Sequence, residues 1–383
     1  MQPGLMTASN VLRTIACALV VLVHVNTVMR PGVGTFWPAG FFFAPFFAIS
    51  VPAFFMLSGY YSGRFSPAVT RPSVGAFLRK KLRPLVVPFI AWNSILLLLQ
   101  AGSLRSVSLT AFQLFTGTWQ LYYVFALLQL LVLQYYSETW TYRLRAVYIF
   151  GAASFLTLAF GCTADYLLWT RGSGAASFME LYLNRLFLPW GMFYFCGVLL
   201  RDEKKLLDWL DRKRGWFGLL TGITFALYYW ESRLEEGWLG YNPLNQFLLA
   251  GLPFRFLCPL MLLVMLNRFS RQGRIKPAMA LLASPAKDTY GIYLCHTSIL
   301  IGIWYAWNAA GLGASSHWTE VPIMWCATWL ISWWATRMAR SARYRWIGRI
   351  LFGITAVSRQ NTRTALTVSG IPKLSSSAQK QIE

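Results

Sequence analysis

Ionisable residues set inside long apolar runs are where this chain would do chemistry, because lipid penalises them and they persist at depth only against a cavity or a partner. The run LRTIACALVVLVHV places Arg13 and His24 eleven residues apart. Eleven residues make three turns of a 3.6-residue helix, so both side chains leave one face, about 16 Å apart along its axis. They cannot touch and are not a catalytic dyad. Arg13 is expected at the boundary of the span, where it can snorkel or hold an anion, and His24 in the opposite half of the membrane. An imidazole there suits proton transfer from a poor nucleophile such as a hydroxyl. Taken singly, Arg13 reads equally as a topology anchor and His24 as a hydrogen-bonding group between helices.

Three further segments carry candidates. VPAFFMLSGYY contributes Ser58, Gly59 and Tyr60, FLRKKLRPL contributes Arg79, Lys80, Lys81 and Arg83, and TYGIYLCHTSI contributes His296. His296 stands eight residues beyond Asp288, about 12 Å into a helix, which is near mid-membrane. Ser58 and Gly59 fit close helix packing as well as a pore wall, and the basic residues fit any charged loop. Trp119 and Tyr122 form an aromatic patch that an interfacial belt explains equally well. Glu180 and Glu320 lie on the side that could partner His24, with no spacing to choose between them. No Gly-rich phosphate loop, H-E-x-x-H metal site or G-x-S-x-G nucleophile elbow is present, which disfavours a metal hydrolase or an ATP-driven pump. Cys17, Cys162, Cys196, Cys258, Cys295 and Cys326 show no C-x-x-C or zinc-like spacing and read as packing residues; no metal site is expected.

The elements that position these residues are transmembrane helices. Of 383 residues 56% are apolar and 13% charged, far from the balance of a soluble domain. About ten stretches can each cover a hydrocarbon core of roughly 30 Å. They lie near 11–29, 39–61, 84–100, 119–136, 146–161, 186–200, 215–230, 247–267, 289–310 and 320–337. The expected fold is therefore all-α, a polytopic transmembrane helical bundle with both termini cytoplasmic. Arg13 ahead of Ile15–Val23 resembles a secretory signal, but the run lacks a clean cleavage site, and a retained first helix fits better.

The net charge of +22 follows the same topology. Assigned alternately to the two sides, 29 of the 35 basic residues face the cytoplasm with seven acidic ones, while six basic and six acidic residues balance outside. That is the positive-inside pattern, and it points to membrane lipids as partners and not to nucleic acid. Residues 1–353 read as one membrane domain, and 354–383, rich in Ser, Thr and Gln, as a polar, disordered cytoplasmic tail.

Together these segments resemble the acyltransferase-3 family of integral membrane O-acyltransferases over roughly residues 10–340. The likeness rests on Arg13 and His24 with ten residues between them, on the aromatic run with Phe54, Phe55, Ser58, Gly59 and Tyr60, on Arg79 and Arg83, and on Tyr290 to His296. The resemblance implies transfer of an acyl group, usually acetyl, from a cytoplasmic acyl-CoA to a hydroxyl of an envelope glycan or lipid-linked sugar in the bacterial inner membrane. The donor is then a co-substrate, and no cofactor is bound tightly. His24 would be the general base and His296 its companion, with Arg13, Arg79 and Arg83 binding the donor's phosphates. Ser58, Tyr60 and Tyr122 would line the pore or the acceptor site. The alternative is a transporter or exporter of an envelope glycan or its precursor, which a basic, polar-lined tunnel would also serve.

Overall fold

A computed structural model describes residues 3–28, 46–62, 73–100, 107–137, 142–171, 182–239, 251–272, 276–312 and 320–354. Among them every regular element is helical. In chain order these are α1 (Pro3–Val28), α2 (Ser50–Tyr61), α3 (Val74–Leu99), α4 (Val107–Thr116), α5 (Tyr122–Ser137), α6 (Tyr142–Arg171) and α7 (Gly191–Asp202). They continue as α8 (Lys204–Arg212), α9 (Arg214–Leu239), α10 (Gly251–Gln272), α11 (Lys276–Ala283), α12 (Thr289–Ala309), α13 (Glu320–Ala339) and α14 (Arg345–Phe352). The tail from 355 onward, His317, Glu180 and parts of both longer outer loops lie outside the described residues.

Among the described residues four helices, α1, α3, α6 and α10, are long and apolar enough to cross a membrane. The pair α4 and Trp119–Ser137, bent by 54°, makes a fifth if it acts as one broken span. The other expected spans fall short of that standard for two physical reasons. Helices α2 and α7 have 12 residues each, about 18 Å at 1.5 Å per residue, against a hydrocarbon core of roughly 30 Å. Helices α9, α12 and α13 are long enough, at 26, 21 and 20 residues, but Tyr, Trp and small or polar residues dilute their apolar character.

Helix α1 is the axle of the bundle. It contacts α2, α10, α11, α12 and α13, and Ala8, Val11, Cys17, Val21 and Val25 are fully buried along it. The helix begins at Pro3 and not near residue 11. Arg13 therefore stands ten residues into the helix.

The closest packing joins α2 to α7. A Cβ on Gly59 would lie 1.9 Å from the carbonyl oxygen of Tyr194, and one on Gly197 would lie 1.8 Å from that of Met56. The two backbones cross through reciprocal glycines, the small-residue contact that lets helices approach where water supplies no driving force between them. Phe55 then stacks on Trp190 at 5.0 Å.

After one α turn, Val74–Phe77, helix α3 makes one π-helical turn, Leu78–Leu82, before continuing in α geometry from Arg83. Such widened turns fit an extra residue into the helix and often mark functional positions. This one carries Arg79, Lys80 and Lys81, all exposed. At the same end of the bundle Asp288, fully buried, pairs with Arg340 at 2.9 Å and accepts a hydrogen bond from Trp333 Nε1 at 3.0 Å. That cluster ties the start of α12 to the end of α13.

Candidate functional site

A cavity of about 450 Å³ opens beside α1, within the size range of small-molecule sites. Arg13 comes from α1, and Phe54, Ser58 and Tyr61 from α2. Lys80 and Lys81 come from the π turn, Tyr123 and Leu127 from α5, and Tyr290 and Tyr293 from α12, with Lys287 just before it. The charge at its mouth is wholly basic: Lys80, Lys81 and Lys287 are exposed there. Lys81 Nζ donates to the Ser62 carbonyl at 3.1 Å, which anchors the lysine against the end of α2.

Arg13 is half-buried, with its guanidinium carbon 4.7 Å from the centre of the Tyr61 ring. The Tyr61 hydroxyl in turn hydrogen-bonds Ser9, one turn earlier on α1. A cation held over an aromatic face is attracted by the ring quadrupole without being neutralised. Among the described residues no carboxylate pairs with Arg13, so its charge remains available to an anion. Ser58 shares a hydrogen bond of 2.9 Å with the Tyr123 hydroxyl across the same space.

Three turns along α1, the His24 ring lies 5.2 Å from the His296 ring and 6.1 Å from the Trp119 ring system, on which it stacks. The two imidazoles have different surroundings. His296 is fully buried, and its Nδ1 faces the carbonyls of Tyr293 at 2.8 Å and Ile292 at 3.2 Å. Carbonyls only accept, so Nδ1 carries the proton and Nε2 the lone pair, with the Thr297 hydroxyl 3.3 Å away. His24 is half-buried, and among the described residues it makes ring contacts and no hydrogen bond. His296 is thus the fixed ring and His24 the one open to a reactant. Glu320 is buried at the first turn of α13, and no ion pair joins it to His24 among the described residues.

Trp119 is delivered by a strained turn. Its φ is +46°, in the left-handed region that a bulky side chain rarely adopts, and Gly117 just before has φ +93°. Buried side chains hold this turn in place. Asn93 Nδ2 donates to the carbonyls of Gln113 and Leu114, both at 2.7 Å, and its Oδ1 accepts from the Thr118 amide at 2.9 Å. Arg185 donates from Nε and Nη2 to the Gly117 carbonyl at 3.2 and 2.9 Å. The Tyr293 hydroxyl closes onto the Gln120 carbonyl, joining the turn to α12.

The structure brings His24, His296 and Trp119 together, and it sets Arg13 and Ser58 on the cavity wall. Arg79 and Arg83 are exposed and are not among its lining residues; the neighbouring Lys80 and Lys81 are. Tyr60 and Tyr122 also point elsewhere. Tyr60 packs edge-on against Tyr61, and Tyr122 stacks on Trp190 at 5.9 Å, while their neighbours Tyr61 and Tyr123 face the cavity. Sequence reasoning also passed over Asn93, Arg185 and Lys287. Arg255, one of the six basic residues assigned to the outer side, has its side chain buried in α10 against Trp190 and Phe193, its Nε donating to the Ala48 carbonyl at 3.3 Å. The signal available for Arg185 and Arg255 was their place next to apolar aromatic runs, where an unpaired charge needs an interior partner. Among the described residues no group of three His, Cys, Asp or Glu could hold a metal ion.

A family model described as an acyltransferase domain, acyltransferase-3, matches residues 6–337. That span takes in every cavity and imidazole residue described above. Neither the curated proteins nor the solved structures compared with this chain gave a match.

Proposed function

Since this chain belongs to the acyltransferase-3 family and is an acyltransferase for groups other than amino-acyl groups, we propose that it moves a short acyl group, acetyl foremost, from cytoplasmic acyl-CoA to a hydroxyl of a cell-envelope glycan. The observation that carries this reading is the placement of two facing imidazoles, His24 and His296, behind the far rings of a cavity whose mouth is basic and whose wall holds Arg13, which has no carboxylate partner among the described residues.

The donor's phosphates would meet Lys80, Lys81 and Lys287 at the mouth, with Arg13 deeper along the same wall, through charge-assisted hydrogen bonds. Arg79 and Arg83, exposed on the same turn, would add to the potential that draws the donor in. The acceptor hydroxyl would approach His24 from the opposite side. His24 takes the hydroxyl proton as the oxygen attacks the thioester carbonyl. The carbon–sulfur bond breaks, and the thiolate leaves to be protonated as free coenzyme A, while the new ester stays on the sugar. His296, its Nδ1–H tied to the backbone, holds the ring it faces in position. On this reading the chain crosses a bacterial inner membrane about ten times, with both termini cytoplasmic and the lysine-lined mouth on the same side.

The test is release of free thiol by purified protein given acetyl-CoA and candidate glycans, with His24→Ala alongside. Turnover in the wild type and its loss in a folded His24→Ala variant is the expected result. Glycan movement across proteoliposomes that survives the same substitution, without thiol release, would instead identify an exporter.

A further inference from the structure

The lining residues of the cavity run in a consistent order on three helices. On α2 they pass from Ser62 at the mouth to Phe54, on α5 from Leu131 to Tyr123, and on α12 from Tyr290 to Tyr293; on α1 Arg13 lines the cavity, and His24, three turns on, is not among the lining residues. Ser62 marks the mouth because Lys81 is bonded to it. The far end in each case is an aromatic ring, and the three rings touch. Phe54 lies 5.9 Å from Tyr123 and 6.0 Å from Tyr293, and Tyr123 lies 5.3 Å from Tyr293, centre to centre. Beyond them, at 6.0 Å from Tyr293, is the His296 ring.

We propose that Phe54, Tyr123 and Tyr293 form a rigid acyl-selecting end to the donor cavity, which admits an acetyl-sized group and excludes longer chains. The proposal rests on the transferase reading above and adds the residues that set the length of the group transferred.

Two of the three rings are pinned by their hydroxyls, Tyr123 to Ser58 at 2.9 Å and Tyr293 to the Gln120 carbonyl, and all three are buried. Interiors packed in this way resist insertion of added methylenes. A thioester held at the lysine end points its acyl group toward the rings. An acetyl methyl fits against them and brings its carbonyl as near to the imidazole pair behind the rings as any thioester in this cavity can come. A longer chain meets the same wall and holds its carbonyl back toward the mouth, out of reach of a hydroxyl activated by His24. One methylene in such a pocket is discriminated by roughly 10-fold or more.

The experiment compares thiol release from acetyl-, butyryl- and hexanoyl-CoA by the wild type, Phe54→Ala, the milder Phe54→Leu and Tyr293→Phe, each first shown to elute as a single folded species. The wild type should favour acetyl. Phe54→Ala should raise the butyryl-to-acetyl rate ratio about 10-fold or more, Phe54→Leu should raise it less, and Tyr293→Phe, which keeps the ring but frees it from the Gln120 carbonyl, should also raise it less than Phe54→Ala. A wild type indifferent to chain length, or a folded Phe54 variant with an unchanged ratio, overturns the proposal. Displacement binding of the same thioesters separates this failure from that of the transferase reading. Donors that bind with acetyl preferred but are never turned over sink the transferase reading and leave the constriction standing. Binding without length preference, or no binding, sinks the constriction.

Discussion

Arg13 and His24 divide the work of one helix face. Among the described residues Arg13 sits beside the Tyr61 ring with no carboxylate to neutralise it, and His24 meets only other rings. Loss of a charged hydrogen bond to a phosphate costs about 1.5–3 kcal/mol, so Arg13→Ala should raise the KM for acyl-CoA by roughly 10- to 100-fold and change kcat much less. Arg13→Lys should recover part of that loss. Removal of a general base costs about 100- to 10,000-fold; His24→Ala should accordingly lower kcat while acyl-CoA still binds. Steady-state kinetics on both variants checks the division, and a fall in kcat alone for Arg13→Ala would overturn the anion-binding role. The pair was legible in sequence because it needs only helical periodicity. The choice between Tyr60 and Tyr61, or Tyr122 and Tyr123, was not, since neighbours on a helix differ by about 100° and the family pattern does not state which faces the cavity.

Among elements, α2 and α7 are joined at a distance that only glycine permits, and the turn before α5 is held by side chains from α3 and from the segment ahead of α7. Gly197→Val would push a branched side chain into the Met56 carbonyl. Overpacking of this kind costs about 1–3 kcal/mol or more, and here the obstacle is backbone that cannot rotate aside. The expected outcome is loss of the monodisperse peak in size-exclusion chromatography, with Gly197→Ala less damaged. Asn93→Ala would strand the carbonyl of Leu114 and the amide of Thr118, and leave the Gln113 carbonyl with the Gly117 amide as its partner. Each buried orphan costs about 1–3 kcal/mol, so the melting temperature should fall and Trp119 should lose its seat against His24. Thermal unfolding and acyl transfer measured together check both effects. Gly59 could be read from its place in the motif, but its partner Gly197 could not. A crossing point is a property of two helices, and one sequence segment shows only half of it. The π turn and the left-handed Trp119 left no local mark either, because no residue type announces them.

For the whole molecule, the distribution of charge predicts topology more firmly than helix length does. Twenty-nine basic residues assigned to one side can be reconciled with about ten crossings, although among the described residues four or five helices are long and apolar enough by themselves. Short helices such as α2 and α7 are sheltered by neighbours, and a protein-lined environment tolerates what lipid would not. Reporter fusions after Phe352 and Asp202 should be active on the cytoplasmic side, and one after Leu312 on the opposite side. A reporter at Leu312 that reads as cytoplasmic would break the ten-span arrangement. The all-helical class was legible because it follows from composition alone. The span count depends on where aromatic and small polar residues lower apolarity without moving a helix out of the membrane.

Trp119 sets these scales against one another. Left-handed backbone at a non-glycine residue costs of order 1–3 kcal/mol, and glycine at 119 would remove that burden without altering the turn. A search for thermostable variants would therefore be drawn to this position, and each gain there would empty the place over His24 that the indole fills. Robustness and turnover pull in opposite directions at this one residue, so a library ranked by heat tolerance should enrich the replacements that a library ranked by acyl transfer discards.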